Sequence, residues 1–293
     1  MSFTTKVFTK VRTAFNALAK IRKPRVLDSI KTANFLLQEQ CSLSRFGDGE
    51  FDIIFGKDLL FQKFDEQLKT KLLEVLDSTA TEHSLNFKVA IPYPIWNTTP
   101  LRQESLWLWK GYHGRYGFKL AKLINYSYQY LDTQVTRFYM AFEDKSYCSQ
   151  FLPQLMQLWE GQDLLFVEGT KSRLGIGNDL FDSAKSIKRI LCPEKNAFEK
   201  YSEILENVRN HGENKLILIA LGPTATALAY DLAKLGFWAI DVGHIDVEYS
   251  WMQMKAQKKK PVRGKYVNEA GGFYGELSLS ETNAYLSSIA VSI

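Results

Sequence analysis

The sequence predicts an α/β protein with a Rossmann-like, mostly parallel sheet flanked by helices and an added helical segment at its N-terminus. Three observations carry that expectation. Four apolar runs, at residues 164–167, 187–191, 216–221 and 237–240, have the length and composition of strands buried on both faces. Helix-like stretches at 179–184, 197–208 and 224–235 lie between them, and that alternation specifies a doubly wound sheet. The 293 residues, 45% hydrophobic and 24% charged, suffice for one large core.

In chain order, residues 1–25 carry Lys6, Lys10, Arg12, Lys20, Arg22, Lys23 and Arg25 among apolar residues and contain no acid. Such a helix either packs on the domain by its apolar stripe or lies on a membrane or partner surface. Pro24 interrupts it, and 26–38 reads as an amphipathic helix. Residues 42–51 read as a short strand breaking into a glycine-punctuated turn. Helices are expected at 65–78 and 101–109, a buried strand at 87–91 stopped by Pro92 and Pro94, and a further strand at 137–142. The aromatic stretch 107–116 is core or a sugar-stacking surface. The lysine run 255–260 is a loop, and 276–293 a C-terminal tail to a domain spanning 26–275.

A net charge of +5 suits anionic ligands, and no nucleic-acid-reading motif is present. Cys41, Cys148 and Cys192 are too widely spaced for a zinc site or a disulfide framework, which fits a reducing compartment. Neither a signal peptide nor an apolar run of about 20 residues is found, so a soluble cytoplasmic protein is expected.

Ligands of doubly wound sheets bind outside the carboxyl ends of the strands, which singles out four loops. In the first, Arg45 and Gly47 precede Asp48 and Glu50. Their carboxylates point the same way in an extended or turning backbone and diverge in a helix. Two such oxygen donors suit Mn²⁺ or Mg²⁺ shared with phosphate oxygens; the alternative is a solvated turn in which Asp48 bonds its own backbone. The second loop runs from Glu168 through Arg173, Gly175, Gly177, Asn178 and Asp179. It is either an anion site at a helix start or a glycine-rich connection with Asn178 or Asp179 as helix cap. The third, Gly222, Pro223 and Thr224, is a phosphate cradle or a tight strand-to-helix turn. It lacks the dinucleotide fingerprint and the Walker lysine. In the fourth, His244, Asp246 and Glu248 alternate and share a face if extended. His244 would join Asp48 and Glu50 at a metal or touch a diphosphate, while Asp246, or else Glu248, would take a proton from a hydroxyl. The bland reading is a polar loop with one satisfied histidine.

Together these segments resemble the bacterial GT-D glycosyltransferases. The matching stretches are 45–50, Glu168-Gly with 173–181, 187–191 with 196–198, 222–225, and 241–249 with Trp251, in order over about residues 26–275. The resemblance implies a GT-D type Rossmann-like domain and a UDP-sugar donor, with Asp48 and Glu50 serving an Mn²⁺-dependent site. It further implies transfer of a hexose, glucose or galactose first, to a hydroxyl of a surface-glycan or glycoprotein acceptor. Donor contacts are then expected from Arg45, Gly47 and the second and third loops. The assignment of His244 to the metal rests on its position. A membrane face or a glycosyltransferase complex contacted through the basic N-terminus, and self-association, complete the expected partners, at the inner face of the membrane. The rivals are another Rossmann-type cofactor enzyme, such as a methyltransferase or dehydrogenase, and a non-catalytic nucleotide-sugar sensor.

Overall fold

The computed structural model describes residues 23–81, 84–97, 101–273 and 275–293; most of the basic N-terminal segment lies outside them. The strands are β1 (Arg25–Val26), β2 (Ser42–Arg45), β3 (Phe87–Ile91), β4 (Gln129–Asp132), β5 (Asp163–Gly169), β6 (Ser186–Cys192), β7 (Leu216–Ala220), β8 (Trp238–Asp241), β9 (Tyr266–Val267), β10 (Gly272–Phe273) and β11 (Ile289–Ser292). The α-helices are α1 (Ser29–Glu39), α2 (Asp48–Ile54), α3 (Glu66–Thr81), α4 (Gln103–Leu123), α5 (Leu152–Gln157), α6 (Tyr201–His211), α7 (Pro223–Lys234), α8 (Ile245–Gln253) and α9 (Leu279–Ser288).

Nine strands pair in parallel in the order β1-β4-β3-β2-β8-β7-β5-β6-β11, and β9 and β10 form a separate antiparallel ribbon. From β2 the chain winds outward through β3 to β4; the later strands fill the other half and end with β8 beside β2. The order therefore reverses between β2 and β8, the place where an open α/β sheet leaves a crevice at its carboxyl edge.

Alternation along the central strands feeds two cores. Leu165, Val167, Ile217 and Ile219 face one side with α2, α3, α4, α6 and α7; Leu164, Phe166, Leu216 and Leu218 face the other with α1, α5 and α8. The small residues of α7 let it settle on β2 and β8, where the Thr226 hydroxyl donates to the Arg45 carbonyl at 2.8 Å and the Ser44 hydroxyl to the Thr226 carbonyl at 2.6 Å.

Under α7 one buried guanidinium ties the two halves together. Arg45 donates from Nε to the Asp241 carbonyl at 2.8 Å, from Nη2 to Asp241 Oδ1 at 3.1 Å, and from Nη1 to the Thr136 hydroxyl. Gly243, at φ 47°, leaves room for it: a Cβ there would lie 2.0 Å from Arg45 Nη2.

The structure departs from the sequence expectation in five places. Residues 179–184 form turns rather than a helix, because Gly175 and Gly177 take φ of 73° and 77° and Leu180 and Phe181 are drawn inward against Trp159. Residues 137–142 are a loop, and the strand is β4, eight residues earlier, too short and polar to announce itself. Asp48 to Ile54 is helical, as are residues 245–253, which carry no amphipathic period because both faces of α8 are buried. Residues 276–293 are no tail, since α9 leads into β11, which pairs with β6 and closes the sheet edge.

Removing Arg45 while keeping its volume, as in Arg45→Met, leaves Asp241 buried without its cation. Urea denaturation should show a loss of about 3–5 kcal/mol. Gly243→Ala should also destabilise, through the same contact and its left-handed backbone, whereas Gly236→Ala meets only the backbone strain, with no atom within 4 Å of its Cβ.

Candidate functional site

A cavity of about 680 Å³ opens over the carboxyl ends of β2, β5, β7 and β8. It lies at the reversal point of the sheet, and its floor is the Arg45–Asp241 pair. Every Arg45 donor nitrogen is engaged within the protein, so this residue builds the floor.

Beyond β2, Gly47 and Asp48 turn the chain into α2. Glu50, in the third helical position, folds back and its Oε2 accepts the Gly47 N–H at 2.6 Å. Asp48 is exposed at the mouth, and both carboxylates line the cavity. Glu50 still touches cavity solvent, yet the protein crowded around it, joined by the nearby Asp241 charge, pushes its pKa up to about 7. The pair expected in a turn thus sits in the first turn of a helix, with one Glu50 oxygen already occupied.

Arg137, which the sequence reading missed, faces this pair from the loop after β4. Burial opposes its charge, but Glu269, Glu248 and Asp48 outweigh that and raise its pKa. Nη1 donates to Glu269 Oε1 at 2.8 Å, and its other N–H groups take no partner among the described residues. Glu269 also pairs with Lys259 at 2.5 Å. The Arg137 charge, followed by burial, pushes the pKa of His244 down to about 3, so the imidazole at the start of α8 is neutral.

These positions decide how a divalent ion would fit. Among the described residues no three His, Cys, Asp or Glu side chains come together as a metal site, so His244 is not gathered with Asp48 and Glu50. The chain offers two carboxylates, a set that suits Mg²⁺ or Mn²⁺ only with phosphate oxygens and water completing the shell.

Helical winding also separates the residues expected to share a face after β8. Asp246 is buried: Oδ1 accepts the Gly175 N–H at 3.0 Å and Asn178 Nδ2 at 2.7 Å, and Oδ2 pairs with the buried Lys265. A carboxylate so occupied anchors the loop, although the residue also lines the cavity. Glu248 keeps more acceptor capacity, because its Oε2 accepts the Tyr139 and Met140 N–H groups at 2.9 and 2.8 Å while the side chain still lines the cavity. Burial raises its pKa against the pull of Arg137.

Most of the second loop turns away from the cavity. Glu168 is fully buried against Arg189, the Nη1 of Arg173 donates to the Gly264 carbonyl at 2.8 Å, and Asp179 accepts from Tyr249 and Gln253. A Cβ on Gly175 would lie 2.9 Å from Phe181, so this glycine serves packing. Gly169, Lys171 and Ser172 of the same loop reach the cavity instead. Of the third loop Gly222 lines it, at φ 55° and tight against Phe61, while Pro223 and Thr224 are buried.

Comparison with known proteins places this arrangement among relatives. A family model described as glycosyltransferase GT-D fold matches residues 43–270. The "Probable glycosyl transferase Gly" of Streptococcus gordonii is 36% identical over 272 residues, and the glycosyltransferase GlyD of Streptococcus pneumoniae serotype 4 is 35% identical over 277. Each match takes in 93% of this chain but only 39% and 33% of those longer proteins. Among solved structures, the domain of unknown function 1792, described as having a distinct glycosyltransferase fold, superposes with a TM-score of 0.88 at 35% identity, covering 96% of this chain and 99% of that one. A glycosyltransferase from Streptococcus sanguinis with the same domain gives 0.86 at 36% identity, covering 92% and 100%.

Glu50→Gln preserves the helix cap, since an amide oxygen still accepts the Gly47 N–H. In metal-free protein the Glu50 carboxyl has a folded pKa of about 7 against an ordinary 4.5, so its contribution to stability is fully present below 4.5 and is lost as pH rises through 7. Denaturant titrations in EDTA should show the wild type losing on the order of 2 kcal/mol against the variant across that window. Parallel curves would show an unshifted carboxyl.

Proposed function

Because the chain belongs to the family of glycosyltransferases with the GT-D fold, we propose that it transfers a hexosyl group from a UDP-sugar to a hydroxyl of a glycan or glycopeptide acceptor. The observation that carries this reading is the meeting, at the reversal point of the sheet, of two cavity-facing carboxylates with an arginine that lines the same cavity and is held by Glu269.

Asp48 and Glu50 would hold Mn²⁺ or Mg²⁺. The ion would offset negative charge on the departing diphosphate. Arg137 donates to the diphosphate oxygens from the opposite wall, with Glu269 and Lys259 fixing its plane. A guanidinium held in this way needs no reorganisation as charge builds on the leaving group. Glu248 replaces Asp246 as the group that orients the acceptor hydroxyl and takes its proton, because one of its oxygens is not already used by a backbone N–H. The neutral imidazole of His244 offers a hydrogen bond at the same mouth without adding charge.

No described helix is long and apolar enough to cross a membrane. In this reading the protein works at the cytoplasmic side, and glucose and galactose are the first donor sugars to try.

Calorimetric titration of UDP, with Mn²⁺ and with EDTA, tests the proposal. Wild type should bind in a metal-dependent way; Asp48→Asn with Glu50→Gln should lose the metal dependence. Arg137→Met should weaken binding in both conditions and lower kcat by about 10²–10³-fold with UDP-glucose or UDP-galactose. Wild type that ignores UDP under both conditions would overturn the donor and favour another cofactor. Binding without hydrolysis or transfer across donors and acceptors would point to a sensor.

A further inference from the structure

The cavity extends along the carboxyl edge of the sheet, and its two ends differ in chemistry. Toward β4 lie Arg137 and Glu248, with Asp48 and Glu50 next to them at the end of β2. The opposite end lies over β5 and β6, where Lys171, Glu194 and Tyr266 line the wall. β5 stands three strand positions from β2, so about 14 Å separates the two groups along the edge.

Tyr266 is held in place by its surroundings. Its N–H donates to the Lys171 carbonyl at 3.0 Å, and β9 pairs with β10. Gly272 of β10 lies against the ring, since a Cβ there would come within 3.2 Å of Tyr266 Cε2. The side chain stays 39% exposed and faces the cavity. Lys171 Nζ stands 5.9 Å from the centre of the ring and pairs with Glu194 at 2.9 Å. Both members of that pair are partly exposed. Such a pair adds little net stability, so a ligand that turns the ammonium and the carboxylate toward itself meets a small cost. The end over β5 and β6 therefore offers an aromatic ring with one donor and one acceptor side by side.

The direction of transfer decides what reaches this end. The transferred sugar sits between the diphosphate and the acceptor hydroxyl. With Glu248 taking the proton, the acceptor lies toward β4, and the nucleoside extends the other way from the diphosphate, toward β5. An acceptor sugar would have to cross the diphosphate to arrive here. Taking the donor to be a UDP-sugar, we propose that Tyr266 stacks on the base of the nucleotide, and that Lys171 and Glu194 bind the edge of that base. Uracil presents a ring N–H beside a carbonyl oxygen, which matches the carboxylate of Glu194 and the ammonium of Lys171. Cytosine in the same pose brings a ring nitrogen lone pair against the carboxylate and leaves it without a donor.

Calorimetric titration of the full chain with UDP, CDP and inorganic pyrophosphate, each with Mn²⁺, tests this assignment. Wild type should bind UDP more tightly than CDP. Tyr266→Ala should weaken UDP about tenfold or more and leave pyrophosphate unchanged, whereas Tyr266→Phe should bind UDP as wild type does. Lys171→Met with Glu194→Met should bring UDP and CDP to the same affinity. Should the thermal midpoint show that Tyr266→Ala disturbs the fold, the Lys171 and Glu194 substitutions decide alone. A folded Tyr266→Ala variant that binds UDP as wild type overturns the proposal, and so does wild type that holds UDP and CDP alike. Loss of pyrophosphate in step with UDP, at an unchanged thermal midpoint, would place the ring at the diphosphate and overturn it equally. Wild type that binds pyrophosphate but not UDP, or neither, overturns the UDP-sugar donor along with it, a result distinct from the variants' failure.

Discussion

The Arg45–Asp241 pair is the constraint on which the site depends. It joins the carboxyl end of β2 to that of β8, and through the Thr136 hydroxyl and the Thr133 carbonyl it reaches the turn after β4. Strands at a reversal point share few crossover contacts; β2 and β8 register through Leu43 and Ile240 alone. The pair holds them where the ladder is short. A buried ion pair of this kind brings little net stability over apolar packing, but losing one partner is costly, so it acts chiefly as a specification of geometry. Its consequence is positional: α2 starts three residues beyond Arg45, and a side chain at Gly243 would displace the guanidinium.

Two further buried pairs extend the same logic to the cavity walls. Glu168 with Arg189 fixes β5 against β6, and Arg189 also donates to the Leu174 carbonyl, which pins the long crossover loop. Asp246 with Lys265 pins that loop to α8 and to the chain before β9. In each case burial raises the cost of an unpaired charge until the neighbouring backbone must stay in place. The crossover from β5 to β6 therefore holds its shape without a helix.

How much of this was legible follows from range. Buried parallel strands need apolar side chains on both faces, so the runs in β5, β6, β7 and β8 could be read wherever they stood. β4 could not, because Gln129-Tyr-Leu-Asp132 is short and polar at both ends. α8 hid for the opposite reason: with Ile245 to Trp251 buried, no polar face marks its period. The Asp48 and Glu50 pair stood out as chemistry, but its conformation turned on whether Glu50 would capture the Gly47 amide, a local choice that the surrounding letters leave open. Arg137, Lys259 and Glu269 carried no local signal. Arg137 and Glu269 stand 132 residues apart and meet only because β4 and the chain before β10 end at the same edge.

Those contacts also sort the acidic residues around the site. Asp241, Glu168 and Asp246 each face a buried cation and accept from backbone or side-chain donors besides. Asp48 and one oxygen of Glu248 remain uncommitted, and Glu50 is divided between its cap and the cavity. The cations divide in the same way: Arg45, Arg189 and Lys265 are enclosed, while Arg137 keeps donors turned toward the open space. Arg137 thus presents a cation to the open space opposite an exposed carboxylate. In the proposed reading a polyanion entering this space would accept from Arg137, and a cation held at Asp48 would offset the charge that remains.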